Sequence, residues 1–248
     1  MNNVTNINKR NYTLAAVILA AGLIIAALLL SSTWRYVSRS NVTITVTGSV
    51  SKDIKSDFAK WRGIYSAESS SLTEAYARLQ DNNKRVTGYL VSKGFPQDKI
   101  SVSSINTETQ YITNAQGMPT NQISGYRLSQ NVSIESNDVD KIDKLSREAT
   151  ELINEGIEIN SLPPEFLYTK TGDLKIELVG LAAQDAKQRA EQIAKSTGNS
   201  IGEVRSSRMG VIQITPKNST EISDYGMNDV SSIDKTMTVV VNMSFSID

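Results

Sequence analysis

Residues 69–96 read SSSLTEAYARLQDNNKRVTGYLVSKGFP. Leu72, Ala75, Leu79, Val86 and Leu90 recur at helical spacing and form one apolar stripe. Ser71, with Glu74 three positions on, has the pattern of a capping box. Gly94 is placed to end the helix in the left-handed conformation, and Pro96 blocks its continuation. What flanks this helix decides the fold. Upstream, NVTITVTGSV (41–50) alternates, with Val42, Ile44 and Val46 on one face and threonines on the other. SDFAKWRGIYSA (56–67) is a second extended run, with Trp61 and Tyr65 on one face and Lys60 and Arg62 on the other. The basic pair would suit an acidic partner; a solvated strand face needs none. Downstream, KISVSSINTETQYIT (99–113) and QISGYRLSQNVSIES (122–136) make a long hairpin around NAQGMPTN. Its second strand carries Tyr126, Leu128, Val132 and Ile134 on one face.

The same alternation of helix and strand continues. NDVDKIDKLSREATELINEG (137–156) is a second helix, capped by Asn137 or Asp138 and closed by Gly156. Its stripe is Val139, Ile142, Leu145, Leu152 and Ile153, and its three early aspartates lack the spacing of a calcium loop. IEINSLPPEFLYTK (157–170) is extended, with a Pro163-Pro164 break suited to an edge or bulge. The third helix, 172–198, has the stripe Leu174, Leu178, Ala182, Ala186, Ala190 and Ile193. Residues 201–216 and 235–247 are strands, the last with Val239, Val241, Met243 and Phe245 on one face. Between them, 217–234 reads as a long, polar, mobile excursion. Helices alternate with hairpins, which predicts an α+β fold: a mainly antiparallel sheet of helix-plus-hairpin units with three helices packed on it.

An apolar segment precedes the domain. Residues 12–30, YTLAAVILAAGLIIAALLL, carry no charge and as a helix would span roughly 28 Å, close to the thickness of a bilayer core. Lys9, Arg10 and Tyr12 stand at one end; Trp34, Arg35 and Tyr36 stand at the other, as in an interfacial belt. The expected organisation is a short tail (1–11), an uncleaved transmembrane anchor (12–33) and an extracytoplasmic domain (41–248). A cleaved signal peptide is the alternative, but the apolar run is long for one and LLLSSTWRYV offers no A-x-A site. Lys9 and Arg10 balance Arg35 and Arg39, and the α-amino group tips the N-terminus inward.

Composition excludes several functions. The chain of 248 residues has 26 basic and 26 acidic side chains, so it has no net charge to attract nucleic acid. Aromatics at 6% make a base-stacking surface a poor expectation. Histidine and cysteine are both absent. The common general base near neutral pH is therefore missing, and the usual zinc, haem and iron–sulfur ligand sets cannot form. No cofactor or metal is expected. One motif points toward an enzyme: GNSIG (198–202) matches G-x-S-x-G, the hydrolase pattern that exposes a serine on a strand-to-helix turn. Ser200 would be the nucleophile and Lys195, the nearest lysine in sequence, its base. The predicted order here is reversed, helix then glycine then strand, and Gly198 is better read as a helix-ending residue.

Several pieces in one order resemble a known family. They are VTGSV, LTEAYARLQDNNKRVTGYLVSKGFPQDKISVSS, ISGYRLSQNVSI, LAAQDAKQRAEQIAKSTGNSIGEV and the terminal TVVVNMSFSI. Together, over about residues 41–248, they resemble the SIMPL-domain family of bacterial cell-envelope proteins. The resemblance implies an extracytoplasmic, envelope-associated location, an α+β fold, a tendency to form homo-oligomers, and a link to envelope stress, including oxidative stress. It supplies no catalytic residues. Many relatives carry a cleavable signal where this chain keeps an anchor, and the Pro/Ala-rich late loop of the family is polar here. The function expected is that of a non-enzymatic, inner-membrane-anchored envelope protein that assembles with itself or scaffolds partners.

Overall fold

The computed structural model describes residues 15–31, 42–221 and 223–247, and the fold is α+β. Residues 15–31 form helix α1. The chain divides into two compact units. The larger comprises Ser51–Ile176 and Val211–Thr238; the smaller comprises the described residues up to Val50, Glu177–Gly210 and those from Val239 onward. Three elements have residues in both: β1 (Thr43–Lys55), α4 (Thr171–Ser196) and β11 (Asp234–Ile247).

The larger unit is built on β2 (Phe58–Ser69) and β5 (Pro119–Ser136), paired antiparallel from Ala59↔Ser136 to Ser69↔Tyr126. Two short strands, β3 (Ile100–Val102) and β4 (Asn106–Thr113), follow one another along the far edge of β5. β6 (Glu158–Ser161) and β7 (Glu165–Leu167) do the same along the far edge of β2. The expected strand at 99–113 is thus two strands. At the break, Ser103 donates its N–H to the Asn131 carbonyl and accepts the Asn131 N–H on its Oγ. The Pro163-Pro164 break separates β6 from β7, because proline brings no N–H to a ladder.

Helices α2 (Leu72–Ser92) and α3 (Val139–Glu148) contribute the other side of this core. Period-two positions of the strands (Trp61, Tyr65, Leu128, Ile134) meet helical-period positions (Leu79, Leu90, Ile142), all less than 2% exposed or, for Leu128, 2%. Each large side chain buried this way contributes about 1.5–3 kcal/mol. The two polar tips are satisfied: Trp61 Nε1 donates to Ser161 Oγ at 2.9 Å, and the Tyr65 hydroxyl to Gln130 Oε1 at 3.2 Å. Burial pushes the Tyr65 phenol up to about 12.

Local details depart from expectation at both helices. Ser71 is the N-cap of α2, but its side chain makes no capping bond. The Glu74 carboxylate instead accepts from Ser69 Oγ at 2.7 Å and from Arg78 at 2.6 Å. A guanidinium one turn on is a stronger donor than a backbone amide, so the box does not close. α3 ends at Glu148 and passes into a 3-10 segment, Ala149–Glu155. That winding buries Leu152 and leaves Ile153 exposed, against the predicted stripe. Asp138 is the cap, accepting the Lys141 N–H at 3.0 Å.

In the smaller unit, residues 239–247 of β11 lie between the first half of β1 and β8 (Ile201–Met209). Thr45 bonds Ser244 at 2.8 Å and Thr47 bonds Asn242 at 2.6 Å, one number rising as the other falls, so β1 and β11 are antiparallel. α4 presents Ala182, Ala186, Ala190 and Ala194, all fully buried. Ala194 takes the place predicted for Ile193, which is exposed, because the stripe keeps its four-residue step. Gly48 explains the alanines. A Cβ there would lie 2.1 Å from the Ala182 carbonyl oxygen.

Residues 201–216 are also two strands, β8 and β9 (Gln213–Pro216), and both pair antiparallel with β11. β10 (Met227–Asn228) runs parallel to β9. The stretch expected as a mobile excursion therefore contains a strand, and its Ile233 and Val230 carbonyls accept from Ser56 and Phe166.

Candidate functional site

The GNSIG turn contains no nucleophile elbow. α4 ends, Gly198 adopts φ +78°, and β8 begins at Ile201. The Gly198 N–H reaches the Lys195 carbonyl at 3.2 Å and the Asn199 N–H reaches that of Ala194 at 2.9 Å, the two bonds of a Schellman ending. Gly94 and Gly156 close their helices with the same pair of bonds and φ of +85° and +80°. Ser200 and Lys195 are both exposed, and no hydrogen bond joins them. Nothing in this arrangement activates the serine.

The other basic and acidic groups singled out by position are engaged in surface pairs or solvated. Lys60 meets Glu135 at 2.9 Å and sits over the Phe58 ring. Arg62, on the same solvent face of β2, makes no ion pair among the described residues and borders an open groove of about 530 Å³ with Ser101, Ser133 and Asn131. Lys60, Glu135 and Glu165 also line it, so with Arg62 its two basic and two acidic side chains balance. Among the described residues no group of side chains could hold a metal ion.

One buried charge pair was not legible in the sequence. Lys235, 1% exposed, donates Nζ to the Phe166 carbonyl at 2.8 Å and to the Asp229 carbonyl, and lies 3.6 Å from the Asp229 carboxylate. Burial lowers the ammonium's pKa against the pull of Asp229. Burial would raise the Asp229 carboxyl, but bonds from the Ser231 hydroxyl and amide, from Ser232 and the charge of Lys235 hold it below its ordinary value. With its protons directed at these oxygens and no exposed face, Lys235 is a clasp rather than a nucleophile: it ties the 217–234 stretch to β7 and β11. Asp229 stands in a polar, turn-rich run where no periodicity marks it as interior, whereas Lys235 falls in phase with the inward face of β11 (Met237, Val239, Val241) and only its charge argues against burial.

Two apolar surfaces stand out as exposed among the described residues. The first is α1, an uncharged helix whose large side chains are exposed from 58% at Ile25 to 71% at Leu30. Among the described residues no helix is long and apolar enough to cross a membrane; α1 is the described part of the apolar stretch that begins at residue 12. The predicted flanks Lys9, Arg10, Tyr12, Trp34, Arg35 and Tyr36 lie outside the described residues. The second is the end of the β4–β5 hairpin, where Tyr111, Ile112, Met118 and Ile123 are 45–63% exposed.

The architecture so defined is α+β with two separate sheets, β1 in one and β2 in the other, rather than one sheet of helix-plus-hairpin units. The model of the SIMPL family, described as a protein of unknown function (DUF541), matches residues 44–245. The chain belongs to the SIMPL family. No curated protein matches it.

Proposed function

We propose that this protein is a non-enzymatic, single-pass anchored protein of the inner membrane. Its extracytoplasmic SIMPL domain assembles with itself or holds partner proteins, in a role that protects the envelope under stress, oxidative stress included. The observation that carries the reading is α1: the large side chains of this uncharged helix are 58–71% exposed among the described residues. Exposed apolar area on that scale is stable only in lipid or against other chains. The reversed GNSIG turn and the absence of histidine and cysteine support a binding role over a catalytic one. The orientation rests on the balance of basic flanks and the free α-amino group.

The test is fractionation of cells expressing the full chain, with alkaline extraction and mass measurement of the mature protein. Retention in the membrane pellet at full-length mass, with the domain open to protease only from the extracytoplasmic side, is the expected result. Release by alkali, or a mass lacking the first thirty or so residues, would remove the anchor.

A further inference from the structure

The end of the β4–β5 hairpin leaves the sheet that carries it. β2 pairs with β5 only as far as Tyr126, and β3 only over Val132–Ile134. From Tyr111 to Ser124 the chain is a two-stranded ribbon that, among the described residues, pairs with no third strand. Such a ribbon is marginal in water by itself. Its composition is also unusual for this protein. Between Glu108 and Arg127 there is no charged residue, although charged residues make up 21% of the chain. Exposed strand edges are ordinarily guarded by charges. β8, another strand at a sheet edge, carries Glu203, Arg205 and Arg208; the ribbon carries no such guard.

We propose that this ribbon is the surface through which two copies of the chain associate, β4 pairing antiparallel with β4 of the second copy. This rests on the self-assembly reading above and names its interface. The chemistry favours a second copy over other occupants. A strongly charged partner finds no complementary charge. A bilayer would have to accept Gln110, Asn114, Gln116, Asn121 and Gln122, whose amides are costly in hydrocarbon. An identical ribbon brings no charge repulsion, a matching apolar patch and the same open row of backbone donors and acceptors. β4 is the edge that pairs because it offers eight residues without proline, whereas the free part of β5 begins at Pro119, which has no N–H to give. Antiparallel pairing of like strands is two-fold symmetric and closes as a dimer.

The chain contains no cysteine, so single cysteines report cleanly. They are placed in turn at positions 108 to 113 of the full-length membrane protein and oxidised mildly, with Tyr225→Cys, 98% exposed, as the control. Pairing about a two-fold axis predicts a disulfide-linked dimer at one position, near loss of cross-linking two residues away, and none at position 225. The double variant Tyr111→Lys, Ile123→Lys is expected to lose the assembly while keeping its circular dichroism spectrum. If assemblies persist in that variant, or cross-linking is as strong at 225, the ribbon is not the interface and the self-assembly reading still stands. If the unmodified chain is monomeric in its membrane, both fall together.

Discussion

A single glycine sets how closely α4 lies on β1. Gly48 sits in the alternating run VTGSV, where any residue of moderate size satisfies the pattern, so nothing in the sequence marks it as special. The structure shows why no side chain fits: an added Cβ would stand 2.1 Å from the Ala182 oxygen, 2.5 Å from the Ala186 nitrogen and 2.7 Å from the Ala186 Cβ. Two of these are helix backbone, which cannot yield as a flexible side chain would. Gly48→Val should therefore destabilise the protein by about 3 kcal/mol or more, measured by urea unfolding. The glycines at 94, 156 and 198 belong to another class. Their left-handed backbones end helices, and that was legible because a glycine following a finished apolar stripe has a local cause. Gly48 has a long-range cause, and long-range causes leave little trace in a single sequence.

At the scale of elements, the helices were legible in position and less so in their ends. The stripe of α2 is buried at Ala75, Leu79, Val86 and Leu90, as its spacing predicts, while Leu72 stays exposed. Strand positions on β2, β5 and β11 followed from alternation in the same way. The breaks within 99–113 and 201–216 did not, since a three-residue interruption barely disturbs a period of two. The start of α2 offers a direct check on cap chemistry. Ser71 and Asp138 occupy equivalent N-cap positions, but only Asp138 accepts a backbone N–H. Asp138→Ala should cost about 1 kcal/mol, whereas Ser71→Ala should stay within roughly 0.5 kcal/mol of the parent. Thermal or urea unfolding of the two variants side by side decides the point, and equal losses would mean that Ser71 caps after all.

For the whole molecule, the missing histidine and the placement of the carboxylates together set the response to pH. Asp53, Glu74, Glu148, Asp185 and Asp229 all have lowered pKa values in the folded protein. The causes are specific: Lys217 beside Asp53, Ser69 beside Glu74, Lys93 beside Glu148, and the Ser49 amide at Asp185. At Asp229 burial pulls the carboxyl upward, and the Ser231 donors, Ser232 and the charge of Lys235 together outweigh it. A carboxyl whose folded pKa is depressed binds its proton more readily in the unfolded chain. Its contribution is complete above the ordinary values of 3.8 for Asp and 4.5 for Glu, and is lost as pH falls through them toward the lower folded values. Lys93 and Lys217 are shifted upward, so their contribution holds until pH climbs past 10.5; Lys235, shifted downward by burial, works against them there. With no imidazole in the chain, no side chain titrates at its ordinary value between about pH 5 and 8. Urea midpoints should accordingly be level across that window and fall steeply below about pH 4. A step near neutrality would have to come from a buried group shifted far into that range, and Lys235, with Asp229 beside it, is the group whose substitution by methionine would then remove the step.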